Sequence, residues 1–561
     1  MRKTTLLIAV ILLLATACQS DSLAAADRFS GEPTGLIPAD NDFFHADGQN
    51  IVDGDGNTFL IRGVAFGNEV WSNPSLPPST HHEEVDYRRA ADMGFNCVRF
   101  YLNYRIFEED SAPYQYKQSG FDWIDRNLVW AKNHGIKLIL NMHVPQGGFQ
   151  SQSNGDALWN DRANQKRLTA LWKEIARRYA NEPDIIAFDL VNEPVVTKSL
   201  DQWRNLAAEI VWTIRQVDPK HIIIVERMNA NEGNATNPWE PNQNGEMNFF
   251  LINDRNVVYE FHTYNPMSFT HQGASWIESL KNVSSVWPDE SRLETTGGSS
   301  WTGATFGNPA IAAGTTDWTF FEGTPLTVSD PVNKIGRPAL QANGLGTGTV
   351  WFDDLTLTER TPSGTVVGTW TFDFNADDGF YYWSDPVRGQ GSWSAKGGRG
   401  GSGCWTIYGS GTNAVLTDII HGIRITKGNN YTMSGWMKGK NVSGSAQARV
   451  RLDIFSSTGE VYAWNKAYLA AEIDRYLAFG SKHDVPLYLG EFGCIVGGFE
   501  PGRGGLVWVE NMLDICEEKG INYNYHTWHE TAFGIYLNSP TILPANPNQP
   551  LIDLFTEKQH P

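Results

Sequence analysis

Positive charge is scarce in this chain. Lys and Arg number 44 against 63 Asp and Glu, which gives a formal net charge of -19 and a sequence pI near 5.1. That balance excludes nucleic acid as a partner, because phosphate binding needs a basic face. Cysteine is scarcer still, with five in 561 residues. Cys97, Cys404, Cys494 and Cys516 show no paired metal-site spacing and are too sparse for a disulfide framework, so buried free thiols are expected. Apolar runs long enough to cross a bilayer are missing beyond the N-terminus. Aromatic residues are plentiful, at 21 Trp, 19 Tyr and 28 Phe. A chain of this length exceeds one ordinary core, so two or more domains are expected.

The N-terminus reads as a targeting segment. Arg2 and Lys3 precede the apolar run Leu6 to Leu14, and Ala15-Thr16-Ala17-Cys18 follows. A basic start, a short apolar region and small residues make a signal peptide over 1–17 rather than a spanning helix. A Cys directly after the small residues resembles a bacterial lipobox, although Ala15 stands where Leu is usual. The resemblance implies a lipid on Cys18, a polar tether over 18–40, and a cell-surface or periplasmic lipoprotein, otherwise a secreted protein.

From Phe43 onward, short apolar strands alternate with amphipathic helices. Strands are expected at Phe59–Phe66, Cys97–Leu102, Lys137–His143, a fourth at 185–194, His221–Glu226 and Val257–His262. Helices are expected at Glu83–Met93, Phe121–His134, Arg167–Ala180 and Leu200–Val217. Two further helix–strand units come late, Trp464–Ser481 with Val485–Glu491 and Leu506–Lys519 with Ile521–Trp528. Apolar strands alternating with helices mean a parallel sheet covered by helices, and eight units predict an α/β chain closed as a (β/α)8 TIM barrel. Between the sixth and seventh strands, at 289–461, Gly, Ser and Thr are dense and period-two strands replace helices, as in Gly348–Leu357 and Ala448–Ile454. That stretch predicts an all-β sandwich inserted into the barrel, leaving 41–288 and 462–561 as the two barrel parts.

Two of the barrel strands end in carboxylates. Ile185 to Leu190 leads into Val191-Asn192-Glu193-Pro194, and Val485 to Gly490 leads into Glu491. A Glu at each of two strand ends, on the face where such barrels place their sites, suggests the paired carboxyl groups of glycoside hydrolysis. Flat aromatic rings suit that chemistry, since they cover the apolar faces of pyranoses.

The barrel resembles glycoside hydrolase family 5, which includes many cellulases. The resemblance rests on an ordered set: Arg99 on strand two, His143 on strand three, Asn192-Glu193-Pro194 on strand four, His262 and Tyr264 on strand six, Glu491 on strand seven and Trp528 on strand eight. It implies a retaining mechanism with Glu491 as nucleophile and Glu193 as acid and then base. Arg99 would keep Glu491 ionised, and Tyr264 would donate to it. Asn192 would bind the hydroxyl beside the anomeric centre, His143 and His262 would bind substrate or orient carboxylates, and Trp528 would form the floor of the reacting sugar's subsite. Trp276 is a family-like aromatic for the cleft. No cofactor and no metal is required by that chemistry. The substrate first implied is a β-1,4-glucan, with mannan, xyloglucan and β-1,3-glucan served by the same set. A glycan-binding lipoprotein without catalysis and a transglycosylase are the alternatives. The expected partner is the polysaccharide, the expected membrane contact is only through Cys18, and the expected state is a monomer.

Other residues read more plainly. Glu226, Glu260 and Glu530 are expected as solvated or ion-paired strand-end charges, and His526, His529 and Glu530 as ordinary loop residues, since their spacing is not that of a helical zinc site. Trp71, Trp159 and Trp239 stand equally as sugar platforms or loop packing. The insert resembles jelly-roll carbohydrate-binding modules, with its closing strand (348–357) before its opening one (368–373), as in a circular permutation. Its candidate rings are Trp301, Trp318, Trp383, Trp393 and Trp405, each as readily core.

Overall fold

A computed structural model of the protein describes residues 42–559, apart from 71–80, 152–153, 235–238, 240–241, 305–310, 376–379, 385–390, 410–413, 419–421 and 445. The expected signal peptide, Cys18, the expected tether and Trp71 lie outside the described residues. The barrel strands are β1 (Arg62–Phe66), β2 (Cys97–Asn103), β3 (Lys137–Val144), β4 (Ile185–Asp189), β5 (Ile222–Glu226), β6 (Val257–His262), β7 (Leu487–Phe492) and β8 (Asn522–Tyr525). They pair in parallel in that order and close on themselves, β8 returning to β1. The helices are α1 (Glu84–Asp92), α2 (Gln118–Asn133), α3 (Arg162–Tyr179), α4 (Leu200–Arg215), α5 (Lys466–His483), α6 (Gly505–Lys519) and α7 (Gln549–Gln559). Among the described residues no helix is long and apolar enough to cross a membrane.

The strands close because their residues are apolar on both faces, one toward the barrel axis and one toward the helices. Ile51, Ile61, Cys97, Ile139, Ala187, Ile222, Ile224, Val258 and Tyr488 share one buried cluster. Helix α3 begins five residues before the apolar periodicity does, because the Asp161 carboxylate accepts the Ala163 N–H at 2.8 Å and caps it. Two buried helix tryptophans then pin the strand ends that matter below. Trp172 Nε1 donates to the Leu190 carbonyl at 3.0 Å, just past β4. Trp203 Nε1 donates to the Glu226 carbonyl at 2.7 Å, at the end of β5. Cys97, Cys404, Cys494 and Cys516 are free and buried.

The chain divides into two compact units. One holds the barrel strands, with residues up to Thr263, Asp474–Val496 and from Leu513 onward. The other comprises Tyr264–Ile473 and Gly497–Met512. The second unit contains antiparallel sheets of six and seven strands whose inner faces share a core that includes Leu340, Phe352, Leu355, Trp405, Met437 and Leu452. Asp289–Thr295 and Val461–Trp464, where the chain enters and leaves these sheets, pair with each other. An insertion whose two ends meet this way needs no change in the element that hosts it. The strands Thr349–Arg360 and Val366–Phe372 form a hairpin, so the segments resembling a module's end and its beginning are neighbours in one sheet.

Trp405 is core and Trp393 is partly buried with its Nε1 on the Phe374 carbonyl. Trp301 is exposed, Trp318 is half-buried, and the Trp383 side chain lies outside what is described.

Candidate active site

Alternation along a strand places residues i and i+2 on one face. Three barrel strands carry a polar pair at that spacing: Arg99 and Tyr101 on β2, Asn141 and His143 on β3, and Glu260 and His262 on β6. These pairs meet Asp189 on β4, Glu226 on β5 and Glu491 on β7. Arg99, fully buried, organises them. Its Nε lies 2.8 Å from Asp189 Oδ2, Nη1 2.8 Å from Glu491 Oε1, and Nη2 3.0 Å from Glu260 Oε1. Nη2 also donates to Asn192 Oδ1 at 3.1 Å.

Past β4 the chain turns sharply. Glu193 has φ +44°, in the left-handed region that non-glycine residues enter at a cost of about 1–3 kcal/mol. The conformation is held from three sides. The Glu193 N–H donates to Glu226 Oε2 at 2.5 Å, the Asn192 N–H donates to the Met142 carbonyl at 3.2 Å, and the Pro194 carbonyl accepts the Asn229 N–H at 2.8 Å. The Glu193 side chain is thereby aimed at His262, whose Nδ1 lies 2.9 Å from Glu193 Oε1. The same nitrogen is 3.7 Å from Glu491 Oε2. One carboxylate oxygen of Glu193 and one of Glu491 lie within 4.8 Å of each other.

The electrostatics separate the carboxyl groups. Burial alone would raise the Glu491 pKa, but the fields of His262, His526 and Arg99 outweigh it and hold the group well below its ordinary 4.5. Tyr101 donates its hydroxyl to Glu491 Oε1 at 2.6 Å. Burial and the Glu491 charge push that phenol well above 10, so it remains a donor. Burial raises Glu226 well above 4.5, and Glu260 and Glu193 add to the rise against the opposing field of His262. Asp189 is pushed up to about 8 by burial and by Glu260, against Arg99. Burial would lower His262, yet Glu226, Glu491 and its hydrogen bonds to Glu193 and Glu260 raise it well above 6.5. His143, stacked on Tyr101 at 3.9 Å, is held neutral by burial. Glu491 is thus biased toward its anion, while Glu226 and Asp189 are biased toward their protonated forms.

Most of the residues expected from the sequence converge here: Arg99, His143, Asn192, Glu193, His262 and Glu491. Tyr264 and Trp276 belong to the second compact unit. There Tyr264 sets its ring edge-on to His271 at 5.0 Å, and Trp276 is exposed. Trp528 needs correction. It has no exposed surface and packs between Phe66 and Tyr536, so it cannot floor a subsite. The β8 residue at the cluster is His526, whose Nδ1 is 3.2 Å from the Tyr101 hydroxyl and 3.9 Å from Glu491 Oε2. Trp528 is two residues further on, its N–H on the Ala65 carbonyl of β1. Glu226 and Glu260 also need correction, being buried members of the cluster rather than solvated strand ends. Tyr101, Glu226 and Glu260 went unrecognised in the sequence, although the i, i+2 relation to Arg99 and His262 marks two of them. Trp159 is loop packing, buried with its Nε1 on Gln150, and Trp239 is half-exposed.

Two trios, Glu193–His262–Glu491 and Glu226–Glu260–His262, bring donor atoms close enough to share a cation. Arg99 and His262 already supply the counter-charge that a metal would bring, and carboxylate-pair glycoside chemistry needs none.

Residues 52–304 match the family model of cellulase, glycosyl hydrolase family 5. The chain carries a family 5 glycosyl hydrolase domain. Endoglucanase C of Acetivibrio thermocellus is 36% identical over 196 residues, 35% of this chain and 54% of that protein. Cellodextrinase A of Ruminococcus flavefaciens is 30% identical over 228 residues, 39% of this chain and 63% of that protein. The chain thus spans about half the length of the first of these curated relatives. A solved endoglucanase from the hyperthermophile Thermotoga maritima aligns with a TM-score of 0.45 at 16% identity, over 88% of this chain and 97% of that chain. Glu193 lies within the matched residues and Glu491 beyond them, at the ends of the fourth and seventh barrel strands.

Proposed function

We propose that the protein is a retaining endo-β-glycanase that hydrolyses β-1,4-glucan by double displacement. The observation that carries this reading is the pair Glu193 and Glu491, with oxygens within 4.8 Å. Retaining enzymes hold their carboxyl groups about 5–5.5 Å apart, whereas inverting enzymes need roughly 6.5–9.5 Å for an intervening water. Glu491, ionised, attacks the anomeric carbon. Glu193 protonates the departing oxygen and then draws a proton from the water that releases the sugar. Asn192, oriented through its Oδ1 by Arg99, turns its amide N–H toward the hydroxyl beside the anomeric centre. The endoglucanase and cellodextrinase names of the relatives favour β-1,4-glucan, and an imidazole at His526 adds hydrogen bonding where a flat apolar ring was expected.

The substrate assignment is tested by reducing-end release across soluble β-1,4-glucan, xyloglucan, β-1,3-glucan and mannan. Release from β-1,4-glucan first supports it, and release from mannan alone refutes it. The inserted sandwich is proposed to bind glycan, so its excision should lower activity on polymer more than on short oligosaccharides.

Glu193→Gln separates the two carboxyl roles. On polymer, whose leaving alcohol needs a proton, kcat should fall on the order of 10²–10⁴-fold. On an aryl cellobioside, whose phenolate leaves unaided, formation of the glycosyl-enzyme should be far less impaired, visible as a burst of phenol. Equal losses on both substrates would contradict the acid role.

The pH profile has a predictable acid side. Activity requires ionised Glu491 and is lost as pH falls through its folded pKa. That pKa is depressed, so the acid limb of kcat/KM should lie below 4.5, the ordinary Glu value. A limb above that value would mean that Arg99 and Tyr101 do not hold the anion.

A further inference from the structure

His262 lies between two carboxylates on opposite ring nitrogens, with its side chain only 7% exposed. Nδ1 faces Glu193 Oε1 at 2.9 Å, and Nε2 faces Glu260 Oε1 at 3.2 Å. Glu260 is fully buried two residues earlier on the same strand and is tied to Arg99 Nη2 at 3.0 Å. Its second oxygen, Oε2, is buried, and the neighbouring carboxyl of Asp189 is pushed up by the Glu260 charge and by a side-chain hydrogen bond between the two. Strand β7 also makes room for it. A Cβ at Gly490 would sit 1.6 Å from Glu260 Oε1, so the residue before Glu491 must lack a side chain while Glu260 keeps its place.

We propose that Glu260 is a positioning residue that sets the proton inventory of the catalytic pair through His262. By accepting the Nε2–H it leaves Nδ1 as the nitrogen that exchanges a proton with Glu193, and its negative charge favours the imidazolium. The proton that Glu193 gives to the leaving oxygen is then shared with His262 in the resting enzyme. It passes along the Nδ1–Oε1 hydrogen bond with no change in the total proton count. This inference rests on Glu193 being the catalytic acid.

The groups around the imidazole support that assignment. Facing it are Glu193 beyond β4, Glu226 on β5 with Oε1 at 3.7 Å from Nδ1, Glu260 on its own strand, and Glu491 on β7 with Oε2 at 3.7 Å. The surrounding ionisable groups are Arg99 and Tyr101 on β2, His143 on β3, Asp189 at the end of β4 and His526 after β8. Of these carboxyl groups, Glu260 and Glu491 are also paired with Arg99. Among the described residues, the hydrogen-bond partner of Nε2 is Glu260.

Two measurements on the intact protein test this. ¹⁵N-histidine NMR of the wild type, with His262 assigned by the signal missing in His262→Gln, should show both ring nitrogens protonated at neutral pH. A neutral ring, or one with its proton on Nδ1 alone, overturns the proposal. In Glu260→Gln, the basic limb of kcat/KM on an aryl cellobioside should move down by about one pH unit, the shift expected on losing an opposite charge at hydrogen-bond distance. The acid limb should stay in place. A uniform loss at every pH with both limbs unmoved would make Glu260 structural and refute the proposal. If Glu260→Gln does not fold, the wild-type spectrum still decides. If the wild type cleaves no glycan, the functional reading fails, while the His262 spectrum remains a separate answer.

Discussion

Glu491→Gln is expected to lower kcat on soluble β-1,4-glucan by on the order of 10⁵-fold, since loss of a nucleophile forfeits nearly the whole covalent route. An amide is nearly isosteric but does not attack the anomeric carbon. It also faces Arg99 Nη1 and the Tyr101 hydroxyl, both donors to Glu491 Oε1. The amide must present its oxygen to them, which leaves its NH₂ near His262, so some loss of stability accompanies the loss of rate. A thermal melt separates the two effects: the folded fraction at assay temperature should stay near complete while turnover disappears. Exogenous azide gives a sharper reading with smaller side chains. With Glu491→Ala, azide replaces the nucleophile and the glycosyl azide has inverted configuration. With Glu193→Ala, azide replaces the water that attacks the glycosyl-enzyme and the product retains configuration. Exchange of these outcomes would reverse the roles, and absence of both would remove the pair from catalysis.

Arg99→Leu is expected to cost about 3–5 kcal/mol of stability, the penalty for leaving buried charge uncompensated. Asp189, Glu260 and Glu491 all lean on this one guanidinium, and none has significant exposure. The pH dependence has a distinctive sign. In the wild type, the depressed pKa of Glu491 contributes stability that is present above its unfolded value of 4.5 and lost as pH falls through the lower folded pKa. Without Arg99, Glu491 loses a field that depresses its pKa and Asp189, already raised to about 8, is raised further, so the cluster relieves its repulsion by binding protons. The stability deficit of the variant should then be largest near pH 7 and shrink toward about pH 5. Urea denaturation at several pH values measures it. A deficit independent of pH would mean that Arg99 acts by packing. Activity at neutral pH should fall on the order of 100-fold or more even in the folded fraction, because Glu491 loses the charge that keeps it ionised.

Much of this architecture was legible in the residues. Apolar runs such as Ile185–Asp189 and Ile222–Glu226 can only be strands buried on both faces, and their alternation with amphipathic helices dictates a parallel closed sheet. The helix-free interval from Asp289 is equally plain, since Gly, Ser and Thr density with period-two apolar residues supports only antiparallel sheets. Within the site, Glu193 and Glu491 could be named because each closes an apolar run, and Arg99 and His262 through the resemblance to family 5. The second layer was harder. Glu226 and Glu260 look like solvated charges when each strand is read alone, and only the register that sets Glu226 beside Glu260 turns them inward together. Tyr101 was hidden for the same reason, two residues past Arg99 within an apolar strand. Trp528 misled because an aromatic near the end of β8 is an attractive sugar platform. The strand ends at Tyr525, and at residue 528 the N–H bonds the Ala65 carbonyl of β1 while the ring packs between Phe66 and Tyr536. No composition or periodicity shows where a chain turns once it leaves the sheet.

The most direct test of the account is covalent capture. A 2-deoxy-2-fluoro cellobioside with an activated leaving group should inactivate the enzyme by accumulating a glycosyl-enzyme, since fluorine slows the second displacement more than the first. Peptide mass spectrometry of the inactivated protein should locate one added sugar on Glu491, and Glu491→Gln should take up none. A label on Glu193, or steady hydrolysis of the inhibitor without any covalent adduct, would contradict double displacement through Glu491.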